Sequence, residues 1–246
     1  MKHLLQTLAA VGLVATPFVG ARADLILTQP GIVTVGGTGL GTVNTVLTIQ
    51  AQGSASTEAG CVSFGGTTGD QTGTSVSGTG ACTGSSGDVK TGASQTQTRS
   101  LTDAGISSGS NFAILFNAAQ PGGGPITLNT LVATFYNSTG GVIQTATFAG
   151  PQNFGVTATG TGNSGYEFTL NSTEASELQT AIAAQGAANI RVGLSASASN
   201  AAGGNETFFI FSASNPVSAT PEPASAALLA TGLFGLVGFV RRRRNS

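Results

Sequence analysis

The side chains that could do chemistry in this chain are ten carboxylates, two cysteines and a single histidine. The histidine is His3, and its surroundings decide its fate. Lys2 and His3 form a short basic region, Leu4 to Val14 is mostly apolar, and Ala21-Arg22-Ala23 precedes Asp24. This is the pattern of a secretory signal peptide, with the small residues Ala21 and Ala23 at the positions a signal peptidase reads. Once residues 1–23 are removed, no imidazole remains. A Ser-His-Asp or Cys-His arrangement needs one to take the nucleophile's proton, so the exported chain is excluded from that chemistry. A His-liganded zinc or copper centre is excluded with it. No Gly-x-x-x-x-Gly-Lys loop is present to cradle a phosphate.

Carboxylates remain. A glycoside hydrolase would draw its acid and its base or nucleophile from Asp70, Asp88, Asp103, Glu167, Glu174, Glu177 and Glu206. Most of these fall in apparent loops or on the outer face of a helix, and the chain has no Trp on which a sugar could stack. A bound Ca²⁺ asks only for carboxylates and carbonyls, but no Asp-x-Asp-x-Asp-Gly pattern occurs. Asp88, Asp103 and Glu206 read as turn residues. No catalytic residue, metal ligand or cofactor is assigned, and the chain is not expected to be an enzyme.

Cys61 and Cys82 are the only cysteines, and an even count in an exported chain predicts a disulfide between them. The Gly-, Ser- and Thr-rich segment they enclose has few apolar groups to hold it. Closing a loop of this size is worth about 3 kcal/mol in the chain-entropy model.

The charge is segregated. Lys2, Arg22 and four terminal arginines belong to the two ends, which leaves Lys90, Arg99 and Arg191 against ten acidic residues between 24 and 223, a net charge of −7. Such a surface lacks the clustered cations that displace counterions from nucleic acid, and it does not suit anionic lipid headgroups.

The elements that must position these groups are mostly strands. Thr45 to Ile49 alternates at period two, Asn111 to Phe116 reads as a buried strand, and Ile126 to Tyr136 runs long with a slip that suggests a bulge. Asn137 to Gly141 is a hairpin loop, followed by a return strand over 142–148. Residues 166–170, 190–194 and 207–211 complete the set. Residues 51–100 carry the weakest signal and predict short edge strands or a long disulfide-clipped excursion. One helix is expected over 173–185, capped by Ser172 or Thr173, striped by Ala175, Leu178, Ala181 and Ile182, and stopped by Gly186. The predicted fold is mainly β: a jelly-roll-like β-sandwich over residues 24–219 with one short helix.

The C-terminus has three parts in order. Pro221-Glu222-Pro223 is followed by an apolar run over 224–240, then by Arg241, Arg242, Arg243 and Arg244. Seventeen uncharged residues make a helix of roughly 25 Å, enough to predict a transmembrane span across a thin bilayer. The arginines resist translocation, so the predicted orientation leaves them in the cytoplasm and the body outside. Ala227, Thr231 and Gly235 form a small-residue row on that helix.

This tail, residues 220–246, resembles the PEP-CTERM sorting signal of Gram-negative bacteria, also labelled an ice-binding protein C-terminal domain. Residues 111–136 and 190–211 also resemble, more loosely, a body that recurs among PEP-CTERM proteins. The resemblance implies an exosortase, a membrane-embedded cysteine protease–transpeptidase, as the processing partner. It also implies transient anchoring in the inner membrane and a destination at the cell surface or beyond. It further implies a link to exopolysaccharide, and hence a non-catalytic structural or adhesive role. A carbohydrate-binding module is the alternative and would need an exposed aromatic platform. A carboxylate-based glycoside hydrolase is the third reading.

Overall fold

The computed structural model describes residues 24–28, 31–34, 43–53, 55–92, 94–157 and 164–213. Among them are fifteen strands and one α-helix. The strands are Leu25–Leu27 (β1), Val33–Thr34 (β2), Asn44–Ile49 (β3), Thr57–Phe64 (β4), Asp70–Gly73 (β5), Ser75–Val76 (β6), Cys82–Thr83 (β7), Arg99–Ser100 (β8), Phe112–Asn117 (β9), Ile126–Tyr136 (β10), Val142–Phe148 (β11), Gln152–Phe154 (β12), Ser164–Leu170 (β13), Arg191–Ser199 (β14) and Glu206–Ser212 (β15). The helix, α1, is Ser172–Gln185. Mainly β with one helix is the predicted composition.

The arrangement differs from two separate sheets in jelly-roll order. One continuous sheet runs β3-β15-β9-β13-β1-β11-β10-β14-β4-β5 and curls over on itself. β2 continues the line of β1 along β13, while β12 and β8 pair with β10 and β14. The halves on either side of the β1–β11 junction are joined by a single residue pair, Leu25 opposite Phe148, and this is the one parallel strand contact among the described residues. A right-handed twist accumulated over many strands brings the two halves face to face.

The core lies between them. Phe112 of β9 meets Phe135 of β10 edge-on at 4.9 Å between ring centroids, and Phe148 of β11 meets Phe168 of β13 at 5.1 Å. Phe154 of β12 reaches Phe116, Tyr166 and Phe168 across the same space. The return strand alternates from Gln144 onward, with Gln144, Ala146 and Phe148 buried and Thr145 and Thr147 exposed, while Val142 at its start is exposed. The slip in the long strand is real: the β10 register shifts against β14 between Leu128 and Thr130, and against β11 between Phe135 and Tyr136.

Two expectations are corrected. Within 51–100, β4 is an eight-residue strand paired with both β14 and β5, one strand in from the edge, while the expected short edge strand and disulfide-clipped excursion follow it as β5 and the β6–β7 ribbon. The helix cap is Asn171 rather than Ser172 or Thr173; its Oδ1 accepts from the N–H groups of Thr173 and Glu174, both at 2.9 Å. Gly186 ends the helix as expected, and Leu178 and Ala181 are buried beneath it. Asn171→Ala should cost about 1 kcal/mol, because two amide donors of the first turn lose their acceptor. Urea denaturation of the two proteins side by side measures that difference.

α1 leaves β13 at Leu170 and returns the chain to β14 at Arg191, so it closes one end of the curled sheet. The opposite end is built from the β3–β4, β9–β10 and β14–β15 loops. These are called the helix end and the loop end below.

Candidate functional site

The structure sorts the carboxylates by what they hold. Asp70 accepts from the Thr98 N–H at 2.8 Å and from its hydroxyl at 2.5 Å, which pins the segment before β8. Asp88 accepts from the Ala59 N–H at 3.0 Å. Asp103 and Ser100 cap each other's backbone N–H groups, both at 3.1 Å, as expected of turn residues. Glu174 and Glu177 lie on α1, where burial and the neighbouring carboxylates Glu177 and Asp24 push Glu174 upward. Glu167 is buried in β13, and burial raises it too.

Glu206 is not a turn residue. It begins β15 and is fully buried. Its neighbour is Glu58 of β4, 2% exposed, a residue the sequence analysis did not single out. Glu58 Oε2 accepts from the Ala51 N–H at 2.9 Å. Glu206 accepts from the Gln120 side-chain amide, whose Oε1 accepts in turn from the Ala202 N–H at 2.6 Å. Glu58 Oε1 and Glu206 Oε2 are buried and make no hydrogen bond to any other group, and two carboxyls buried side by side favour a shared proton. Burial first, then the hydrogen bond to Glu206 and its charge, push Glu58 up to about 9. Glu206 is also raised, chiefly by burial. This acid pair ties together the three loops of the loop end, helped by the Gln50 amide, which donates to the Gly203 carbonyl at 2.7 Å. Both carboxyls are shut off from solvent, and the pair acts as a clamp between the loops.

A cavity of about 350 Å³ lies at the helix end, lined by Ile26, Thr169, Leu170, Asn171, Ala175 and Gln179 among others. Its lining contains no ionisable side chain, so acid–base chemistry has no agent there. No group of three or more His, Cys, Asp or Glu able to hold a metal occurs among the described residues.

Among the described residues no aromatic side chain is exposed. Tyr136 is buried, donates to the Gly80 carbonyl at 2.5 Å, and is pushed up to about 12 by burial. Tyr166 is buried against Phe154 and donates to the Gly155 carbonyl at 3.2 Å. The only large hydrophobic side chains exposed among the described residues are Ile32 and Val142, neither of them aromatic. The platform that a carbohydrate-binding module needs is therefore absent among the described residues.

Cys61 of β4 and Cys82 of β7 are joined as a disulfide, as expected. It fastens the small β6–β7 ribbon to the main sheet beside a Cys82 N–H to Ser63 Oγ hydrogen bond of 2.9 Å. Replacing both cysteines with serine should cost about 3 kcal/mol, read as a lower denaturation midpoint. Two free thiols in the oxidised, exported protein would contradict the linkage.

Ala21 and Ala23, Pro221-Glu222-Pro223, the predicted membrane span 224–240 and Arg241 to Arg244 lie outside the described residues. Among the described residues no helix is long and apolar enough to cross a membrane. Comparison with known families decides what the tail is. Residues 219–244 match the PEP-CTERM protein-sorting motif. No curated protein and no solved structure matches the chain. The PEP-CTERM motif marks an exported protein of Gram-negative type, sorted by its tail to the cell surface or beyond, with an exosortase as its processing partner. The match covers the tail alone, so the body must be read from its own geometry.

Proposed function

We propose that this protein is a non-catalytic structural or adhesive component of the extracellular polysaccharide layer, delivered there by its PEP-CTERM tail. The observation that carries the reading is the inward commitment of the body's reactive groups. The acid pair serves as a clamp, the cysteines are paired, the tyrosines are buried, and the one cavity described lacks an ionisable lining. Its outer surface is rich in Ser, Thr, Asn, Gln and Gly beside a few carboxylates, groups that hydrogen-bond to hydroxylated polymers over many weak contacts. The chain is held in the inner membrane by residues 224–240 until exosortase acts.

The test compares a deletion strain with its parent. Loss of the protein should loosen the extracellular layer, measured as polysaccharide released by mild shear. Purified residues 24–219 should co-sediment with that polysaccharide and release no reducing sugar from it. An intact layer without the protein, together with no co-sedimentation, would overturn the reading. Release of reducing sugar would replace it with a hydrolase.

A further inference from the structure

The cavity at the helix end is assembled from separate pieces of chain. Ile26 of β1 and Thr169 of β13 are direct cross-strand partners, so their side chains share one face of the sheet and lie side by side in its wall. The first turns of α1 supply Ser172, Ala175, Ser176 and Gln179, spaced to fall on one side of the helix. The 3₁₀ turn Gly109–Asn111 closes the remaining side. It lies so near α1 that a Cβ on Gly109 would be 2.0 Å from the Ala175 carbonyl oxygen. Only glycine lets the two meet, and the contact carries the flanking Ser108 and Ser110 to the mouth of the cavity. The Gly109 N–H donates to Gln179 Oε1 at 3.1 Å, which fixes the turn on the helix. The Asn171 N–H donates to the Asp24 carbonyl at 2.9 Å, which fixes the start of β1 beside the helix.

The lining is graded from floor to rim. Leu170 is buried and Ile26 and Ala175 are half-buried, which makes a largely apolar floor. Ser110, Ser172, Ser176 and Gln179 are exposed and form a rim of hydroxyl and amide groups. Thr169 is the polar side chain set deepest, 5% exposed. Its Oγ1 accepts from the Thr28 hydroxyl at 3.3 Å, so its own proton is left to give to an oxygen in the cavity. Gln179 has committed its Oε1 to Gly109, which leaves its Nε2 donors at the rim. A charged ligand group would lose water here and meet no counter-charge. Asp24, Glu174 and Glu177 stand near one another outside the lining and would repel a carboxylate or sulfate besides. An apolar floor inside a neutral ring of donors and acceptors suits a sugar ring, whose C–H face is apolar and whose edge carries hydroxyls. The volume of about 350 Å³ falls within the range of small-molecule sites, about 300–1,000 Å³.

We propose that this cavity is a binding site for a neutral sugar unit of the extracellular polysaccharide, held by hydrogen bonds from Thr169, Ser176 and Gln179 over the floor of Ile26 and Leu170 rather than by aromatic stacking. The inference rests on the polysaccharide reading above and deepens it, by giving the contact a place and by selecting neutral over acidic sugars.

The experiment uses the mature protein, isotope-labelled and purified from its host. Cellotetraose and maltotetraose serve as neutral probes in an NMR titration. At least one of them should saturably shift the amide signals of residues 108–110 and 169–179, and leave those of Gln52 and Ala202 at the loop end unmoved. Tetragalacturonate, an acidic probe, should bind about tenfold more weakly or worse, because like charges meet. Thr169→Val keeps the shape and removes the donated proton, so binding should weaken about threefold to tenfold. Ser176→Met puts a long apolar side chain in the mouth of the cavity and should abolish the shifts. Ala184→Met, exposed on the same helix outside the cavity, should bind like the parent. Unchanged signals from the rest of the sheet check that each variant has folded. If the parent does not co-sediment with the host polysaccharide, the polysaccharide reading falls and this inference falls with it. If it does co-sediment while neither neutral probe moves the cavity's signals, or while folded Ser176→Met binds them like the parent, the site alone is overturned. Equal binding of the acidic probe would overturn the choice of neutral sugars.

Discussion

Replacing Pro221-Glu222-Pro223 with alanines is expected to trap the full-length protein in the inner membrane. The apolar run 224–240 and the four arginines are untouched by the change, so insertion and orientation should be normal. Only the segment read by the processing enzyme is lost. Neutralising Arg241 to Arg244 should fail differently. Each arginine placed mid-membrane costs roughly 2.5–3.5 kcal/mol on insertion scales, and removing four such barriers lets the tail slip through or lose its orientation. The two variants should therefore part company on fractionation: the first remains as membrane-bound precursor, and the second is no longer held in a defined orientation. If the triple-alanine protein leaves the membrane in mature form, the tail acts only as an anchor.

The second large effect is a stability that falls as the pH rises. Glu58 has an ordinary value of 4.5 and is pushed up to about 9 by burial and by Glu206. Between those values the folded chain keeps a proton that the unfolded chain has released. Stability from such a group is fully present below the unfolded value and is lost as pH climbs through the folded one. The slope is about 1.4 kcal/mol per pH unit for each retained proton. Urea denaturation of residues 24–219 at a series of pH values from about 5 to about 9 should show the midpoint descending. Glu58→Gln keeps the shape and removes the ionisation, so its midpoint should vary less over the same range. A midpoint that is level or rises with pH in the parent would show that the acid pair is not held protonated.

Much of the fold was legible because the decisive residues obey a period. Gln144, Ala146 and Phe148 alternate with threonines, and Ala175, Leu178, Ala181 and Ile182 recur at helical spacing. β4 was not legible for a reason visible in its packing. Its inward face carries Glu58, Gly60 and Val62, only one of which reads as apolar. Gly60 is required there, since a Cβ would lie 2.4 Å from Val89 Cγ2 and 2.6 Å from Ile49 Cγ2. Glu206 did carry a signal: period two puts it on the same face as Phe208 and Ile210, both buried. Its placement beside Gly203 and Gly204 made it read as a turn. The pairing of Glu206 with Glu58 could not be seen in the sequence, because it depends on curling that sets β15 and β4 in opposite halves of the sheet. Asn171 was missed as a cap because two hydroxyl residues that suit the role follow it directly.

The single junction at Leu25 and Phe148 has a consequence for how the protein is made. β1 is the first strand of the described residues, yet its partners are Phe148 at the end of β11 and the strand β13; Thr28 meets Thr169 across 141 residues of chain. Gln50, at the end of β3, likewise meets Gly203 across 153 residues. Contacts this distant in sequence make folding slow, because the loop-closure entropy comes before any reward. A chain threaded outward from its N-terminus cannot close this sheet until nearly all of the body has crossed. The topology thus delays tertiary closure until nearly all of the body is available.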